Sequence, residues 1–131
     1  MLGKLVYEGQ GKAIGYRVLE DGRVEQTCMM QGKLLGEDFS ATWTQVADPM
    51  RPDWTGFGKG WGIFWAKNGS SGRFDMIGNG TGKFDGLSSI RGSVCFSCMP
   101  GKFGHLNGIA VVFEMDSDKD GNFQNKGWEW K

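Results

Sequence analysis

Between Gly56 and Gly62 every second residue is glycine, in the run Gly56-Phe-Gly-Lys-Gly-Trp-Gly-Ile-Phe-Trp65. Side chains alternate across a strand, so an extended chain here puts all four glycines on one face. Trp61, Ile63 and Trp65 then fall on the other. The pattern returns after a turn as Gly78-Asn-Gly-Thr-Gly-Lys-Phe-Asp-Gly86, with Gly92 beyond it. Glycine at every second position is a poor helix former and leaves no apolar stripe at helical spacing. The stretch from Gly56 to Gly92 predicts tightly curved antiparallel sheet.

The totals narrow this further. The chain has 131 residues and 23 glycines, where average usage gives about 9. There is no three-residue period, so collagen is excluded, and six Trp and nine Phe are too many for a disordered chain. Residues 1–131 suit one domain. Fifteen basic residues balance fifteen acidic ones, without the basic excess that nucleic-acid or acidic-membrane binding requires; no nucleic-acid or membrane partner is expected. The opening MLGKLVYEGQGK lacks a secretory leader pattern, and no window supplies the roughly 18 apolar residues of a membrane span. Three cysteines, an odd number, fit free thiols in a reducing cytoplasm.

Alternation and turn chemistry predict about eight strands. The first covers 3–19, as one long strand or two short ones, with Leu5 and Tyr7 on one face and bends or bulges at Gly9, Gly11 and Gly15. A tight turn at 20–23 is set by Asp21-Gly22. Strands follow at 23–36 and 38–46, the second with Phe39, Ala41, Trp43 and Gln45 on one side. The stretch 47–54 is loop, because Pro49 and Pro52 remove donors and block helix; it carries Trp54. Strands at 57–66 and 72–79 join through Asn68-Gly69. Residues 80–86 are too glycine-rich to pair along their whole length. Strands at 88–98 and 106–115 follow, and one ending in Trp128 and Trp130 closes the chain. In 106–115, Ile109, Val111, Phe113 and Met115 share a face. Eight sequential antiparallel strands close up and so remove their aggregation-prone edges. The expected fold is all-β, an eight-stranded antiparallel up-and-down barrel without long helices; a sandwich is the alternative.

Asn79-Gly80-Thr81-Gly82-Lys83-Phe84-Asp85-Gly86, followed by Gly92, resembles the Gly-Gly-x-Gly-x-Phe turn of the allene oxide cyclase and dirigent barrels, with Asn79 in place of the first glycine. The segments Leu106-Asn107-Gly108, Val112-Phe113-Glu114, Asp120-Gly121 and Trp128-Glu129-Trp130-Lys131 resemble small uncharacterised bacterial and archaeal proteins. The first resemblance implies a calycin-like barrel with an apolar cavity, often trimeric, in a family that cyclises or steers reactive small molecules. Only the turn glycines carry over, and these are architectural.

The chemistry-bearing residues each have a plain alternative. His105, the single histidine, suits a general base near neutral pH, or is a solvated loop residue. Glu114 shares a strand face with Ala110 and Val112. It is a buried acid if that face points inward and a solvated one if Val111 and Phe113 do; the larger side chains favour the second. Glu129, between Trp128 and Trp130, is judged the same way and could share a face with Glu114. Trp43, Trp61, Trp65, Trp128 and Trp130 could stack a flat ligand or fill the barrel, with Met29, Met30 and Met50 as gap-fillers.

Cys95 and Cys98 have redox spacing but sit on a strand, where they point to opposite faces. Asp116, Asp118 and Asp120 match the first half of a calcium loop, whose second half fails at Gly127; a bare turn explains them too. Gly78-x-Gly80-x-Gly82 opens no helix, so it is no dinucleotide loop. No metal or cofactor is expected. The leading expectation is a barrel that binds a small apolar molecule, with Glu129 and the tryptophans at the ligand. The second is a cyclase or isomerase using Glu114 or Tyr16 for proton transfer, with His105 as a further catalytic candidate. The third is an assembly subunit packing a glycine-flat face against its own copies, as a dimer or trimer.

Overall fold

The computed structural model describes residues 1–49, 51–53, 55–82 and 87–131. Its strands are β1 (Leu2–Val18), β2 (Val24–Leu34), β3 (Glu37–Ala47), β4 (Thr55–Ala66), β5 (Ser71–Gly82), β6 (Ser88–Cys98), β7 (Val111–Ser117) and β8 (Asn122–Trp130). Each pairs antiparallel with the next, and β8 returns to β1, closing an up-and-down barrel. The chain ends meet: the Met1 amino group donates to the Lys131 carbonyl at 2.9 Å, and the Lys131 amide donates back to Met1 at 2.8 Å. Among the described residues no helix is long and apolar enough to cross a membrane.

The turns follow the glycines. Gly22, Gly69 and Gly121 have φ of 89°, 89° and 82°, in the region that L side chains avoid. Three sequence expectations are corrected. The strand expected over 23–36 ends at Leu34, because Leu35 (φ 50°) and Gly36 (φ 84°) form a two-residue turn with both central φ values positive. The strand expected over 106–115 begins at Val111, since Gly104–Gly108 forms a short 3-10 turn. The Asn107 amide clamps that turn to β6, accepting from the Cys98 N–H at 2.6 Å and donating to the Cys98 carbonyl at 3.0 Å. The strand expected over 72–79 extends to Gly82, with Thr81 and Gly82 opposite Ser89 and Ser88. Lys83–Gly86, the second half of the turn carrying the family resemblance, lie outside the described residues.

Glycine also sets the curvature. A Cβ on Gly11 would lie 1.9 Å from the Met29 carbonyl oxygen, and one on Gly92 would lie 2.0 Å from that of Ile77. These crowded approaches fall on the β1–β2 and β5–β6 interfaces, half-way round the barrel from each other. Only glycine lets neighbouring backbones come so close. Strand β1 is further bent by register shifts between Leu5 and Tyr7 and between Ala13 and Gly15. The first of these overturns the shared face expected for Leu5 and Tyr7: Leu5 is exposed, while Val6 and Tyr7 are both buried.

The core occupies the half of the barrel toward the chain ends. There the β6–β7 connection folds underneath, with Phe103 and Leu106 fully buried. Aromatic rings climb inward from it. Phe103 meets Phe64 (centroids 6.4 Å), Phe64 meets Phe96 (5.8 Å), Phe96 meets Phe74 (6.2 Å), and Phe74 meets Trp43 (6.0 Å). Most pairs are edge-on or tilted, the geometries aromatic quadrupoles prefer. Phe123 caps the tier, 5.4 Å from Trp43.

Candidate ligand-binding site

Beyond Trp43 and Phe123 the inward side chains become small. Gly56 and Gly58 of β4, Gly78 and Gly80 of β5, and Ala47 of β3 replace the rings of the filled half. The alternation read from the sequence therefore has a definite sense, with glycines inward and Trp61, Ile63 and Trp65 outward. Glycine walls remove volume from the interior and leave a cup of about 880 Å³, floored by Met76, Phe113 and Phe123. Its mouth lies where the β1–β2, β3–β4 and β7–β8 connections gather, with Tyr16, Val18, Pro49, Pro52 and Lys119 on the rim. This is within the size range of small-molecule sites. A second depression, on the outer face, is bordered by Gln10, Lys12, Gln31, Asp116 and Gln124.

One polar device crosses the wall of the cup. The Trp43 indole N–H donates to Gln45 Oε1 at 2.8 Å, and Gln45 Nε2 donates to Gln26 Oε1 at 2.6 Å. Gln26 and Gln45 are direct partners across β2 and β3, and both line the cup. An indole can only donate, so the direction of the relay is forced. Its last group is the Gln26 amide nitrogen, which has no protein acceptor among the described residues. Since no side-chain nitrogen or oxygen of those residues is both buried and unpartnered, this amide is open to the cup. Sequence reading missed it, although Gln45 alternating with Phe39, Ala41 and Trp43 was a signal: a polar side chain on an apolar face needs a partner.

The proposed catalytic residues are not gathered. Tyr16 is on the rim of the cup, 63% exposed. Glu114 is on the outer wall, 3.4 Å from the Arg91 guanidinium and opposite Lys126, which is the solvated alternative. His105 is exposed in the Gly104–Gly108 turn at the closed end. Glu129 opposes Val111 on the inward face, again at the closed end, so the shared face expected for Glu114 and Glu129 is corrected.

Of the tryptophans, Trp43 is inside. Trp61 and Trp65, each 43% exposed, and Trp130 at 56% lie outside, and half-buried Trp128 is on the outer face opposite Val112. The expectation that all five fill or line the barrel is thus corrected for four, because strand parity gives the inward positions of β4 to glycine and those of β8 to Phe123, Asn125, Gly127 and Glu129. Met30 is buried as expected, whereas Met29 is 45% exposed on the outer face. Met50 and Trp54 lie outside the described residues.

Cys28 is buried, and burial pushes its thiol up to about 12. Cys95 is exposed, Cys98 half-buried, and all three are free. Asp118 Oδ1 accepts the N–H groups of Asp120 (2.8 Å) and Asn122 (3.0 Å), and Asp116 pairs with Arg91 at 3.1 Å. Two of the three acids are thus engaged in turn and wall. Among the described residues no three His, Cys, Asp or Glu side chains gather as a metal site would require.

No family model matches the chain, and no curated protein matches it. Solved structures do. A conserved protein of unknown function from Rhodopseudomonas palustris superposes with a TM-score of 0.80 at 12% identity, over 98% of this chain and 97% of that one. A protein of unknown function from Clostridium acetobutylicum gives 0.76 at 12% identity, over 98% of each chain. At these identities the likeness establishes the eight-stranded barrel fold and nothing of the chemistry.

Proposed function

We propose that this protein binds a small, largely apolar molecule in the open half of its barrel. The observation that carries this is the division of the interior: aromatic rings fill one half to closure, and rows of glycine hold the other half empty. Unfilled apolar space loses contacts that a larger side chain would make, so a chain that keeps such space in place of a complete core has a use for it. The described residues deep in the cup supply neutral amides and apolar surface rather than a carboxylate or imidazole. That supports binding over the cyclase or isomerase alternative, since a proton-transfer catalyst needs a titratable group within reach of the reacting atoms. A relationship to the allene oxide cyclase and dirigent barrels is part of the same proposal; the up-and-down barrel and the Asn79–Gly82 segment support it. Native mass spectrometry of the purified chain tests the binding reading. A retained adduct of a few hundred daltons is expected, and Ala47→Phe, which fills the mouth, should abolish it without loss of folding. Wild-type protein free of adduct, and refusing every apolar probe, overturns the reading.

A second reading is self-association. Trp61, Ile63 and Trp65 form an exposed row on β4, joined by Met29 across β3, and exposed apolar patches of this kind favour association. The surface would be aromatic and not glycine-flat, because the glycines point inward. Sedimentation of wild type against Trp61→Ser/Ile63→Ser tests it: a shift toward monomer supports it, and unchanged sedimentation removes it.

A further inference from the structure

We infer that the ligand carries a hydrogen-bond acceptor oxygen, a carbonyl or its equivalent, at its buried end, and that Gln26 reads it. This rests on the cup being the ligand site. The relay runs in one direction only. The Trp43 indole cannot accept, so Gln45 must present its oxygen to Trp43 and its nitrogen to Gln26. Gln26 therefore meets the cup with its amide N–H groups, one lone pair of its oxygen being taken by Gln45. Successive hydrogen bonds polarise one another in a low-dielectric interior, which sharpens the last donor of the chain. The floor beneath it, Met76, Phe113 and Phe123, offers no competing polar group. The hydroxyls of Ser88 and Ser117 sit toward the mouth, at the start of β6 and the end of β7. A molecule with an apolar body and one acceptor at its buried end pairs the Gln26 amide and covers the apolar floor. A ligand ending in a donor leaves two donors facing each other, and a pure hydrocarbon leaves the Gln26 amide desolvated and unpaired, which is penalised.

The test compares two probes of one shape: the solvatochromic naphthyl ketone Prodan, and its analogue in which a C=CH2 group replaces the carbonyl. Both are titrated against wild type, Gln26→Met and Gln26→Glu, each first shown by circular dichroism to keep the β-barrel spectrum. The ketone should bind wild type roughly three- to tenfold more tightly than the hydrocarbon, the range for one net neutral hydrogen bond. The difference should vanish in Gln26→Met. It should reverse in Gln26→Glu, where an acceptor replaces the donor. Equal affinities in wild type, or a preference that survives both variants, overturn the inference while leaving the cup a binding site. Failure of both probes to bind wild type instead overturns the binding reading on which the inference rests. If one variant does not fold, the wild-type comparison and the other variant still decide.

Discussion

The Tyr7 hydroxyl donates to Asn125 Oδ1 at 2.8 Å inside the barrel, joining the first strand to the last. Asn125 is 2% exposed and, among the described residues, is the one buried polar or charged residue beside an otherwise apolar core. Its Nδ2 donates to the Met115 sulfur at 3.9 Å. The bond thus satisfies both the phenol and the amide oxygen on the seam that closes the sheet. Burial also raises the phenol's pKa, so it stays a donor at any ordinary pH.

Tyr7→Phe keeps the ring contacts with Phe39 and Phe96 but leaves the Asn125 oxygen buried and unpaired. Stability should fall by about 1–3 kcal/mol, read as a lower urea midpoint with an unchanged slope. Tyr7→Phe/Asn125→Leu removes both partners. The double variant should be less destabilised than the sum of the single changes, as a double-mutant cycle will resolve.

Two glycines, both within strands, should behave oppositely. Alanine at Gly92 puts a methyl 2.0 Å from the Ile77 carbonyl oxygen, and backbone cannot swing aside as a flexible side chain can. The loss should reach at least about 3 kcal/mol, or prevent closure altogether. At Gly15 no atom lies within 4 Å of the added carbon. There the substitution should be neutral or stabilising by about 0.4–1 kcal/mol, through a less flexible unfolded chain. Equal losses at both positions in chemical denaturation would remove the claim that close backbone approach, rather than flexibility, selects glycine at β5–β6.

This contrast marks what the sequence could reveal. Alternation is local, so the strands, the Asp21-Gly22 and Asn68-Gly69 turns, and the pairing of Phe39, Ala41 and Trp43 on one face were all legible. The all-β barrel followed from their number. Which face of β4 points inward was not legible, because both choices satisfy alternation. The decision comes from curvature, which tolerates only glycine where backbones crowd, and it sends Trp61 and Trp65 outside. The Gly104–Gly108 turn was hidden because Leu106, Ile109 and Val111 read as one apolar run until the Asn107 clamp on Cys98 is seen. The Gln26–Gln45 relay needed the register between two strands, which no single segment contains.

The three thiols should separate by reactivity. Cys95, exposed on the outer face, should react quickly with a disulfide reagent near neutral pH. Half-buried Cys98 should lag, its thiol pushed up by burial, and Cys28 should react only on unfolding. The Cys28 pKa rises from 9.0 to about 12 on folding. Between those values the unfolded chain has lost the proton that the folded chain keeps, so stability must fall as pH rises. Relative to Cys28→Ala, the wild type should therefore lose stability progressively above roughly pH 9. A pH-independent difference between the two would count against burial as the cause.

The Arg91 cluster supplies the last prediction and bears on Glu114. Arg91 reaches Glu114 at 3.4 Å and Asp116 at 3.1 Å, with all three side chains about half exposed. For Asp116 some burial raises the carboxyl, but hydrogen bonds and charge from Arg91, with Ser89, outweigh it and hold the group below its usual range. A carboxylate depressed on folding stabilises above its unfolded pKa, and that contribution disappears as pH falls through the folded value. Arg91→Leu should therefore lower stability at neutral pH by less than about 1 kcal/mol, the scale of exposed pairs. The difference from wild type should shrink as acid protonates Asp116 and its contribution is lost. Glu114→Gln should likewise cost less than about 1 kcal/mol and leave Prodan binding unchanged, because the side chain stands on the outer wall while the cup is bounded by the inner one. A large loss of probe binding in Glu114→Gln, with the fold intact by circular dichroism, would move the functional centre from the glycine-walled cup to the outer face of β7.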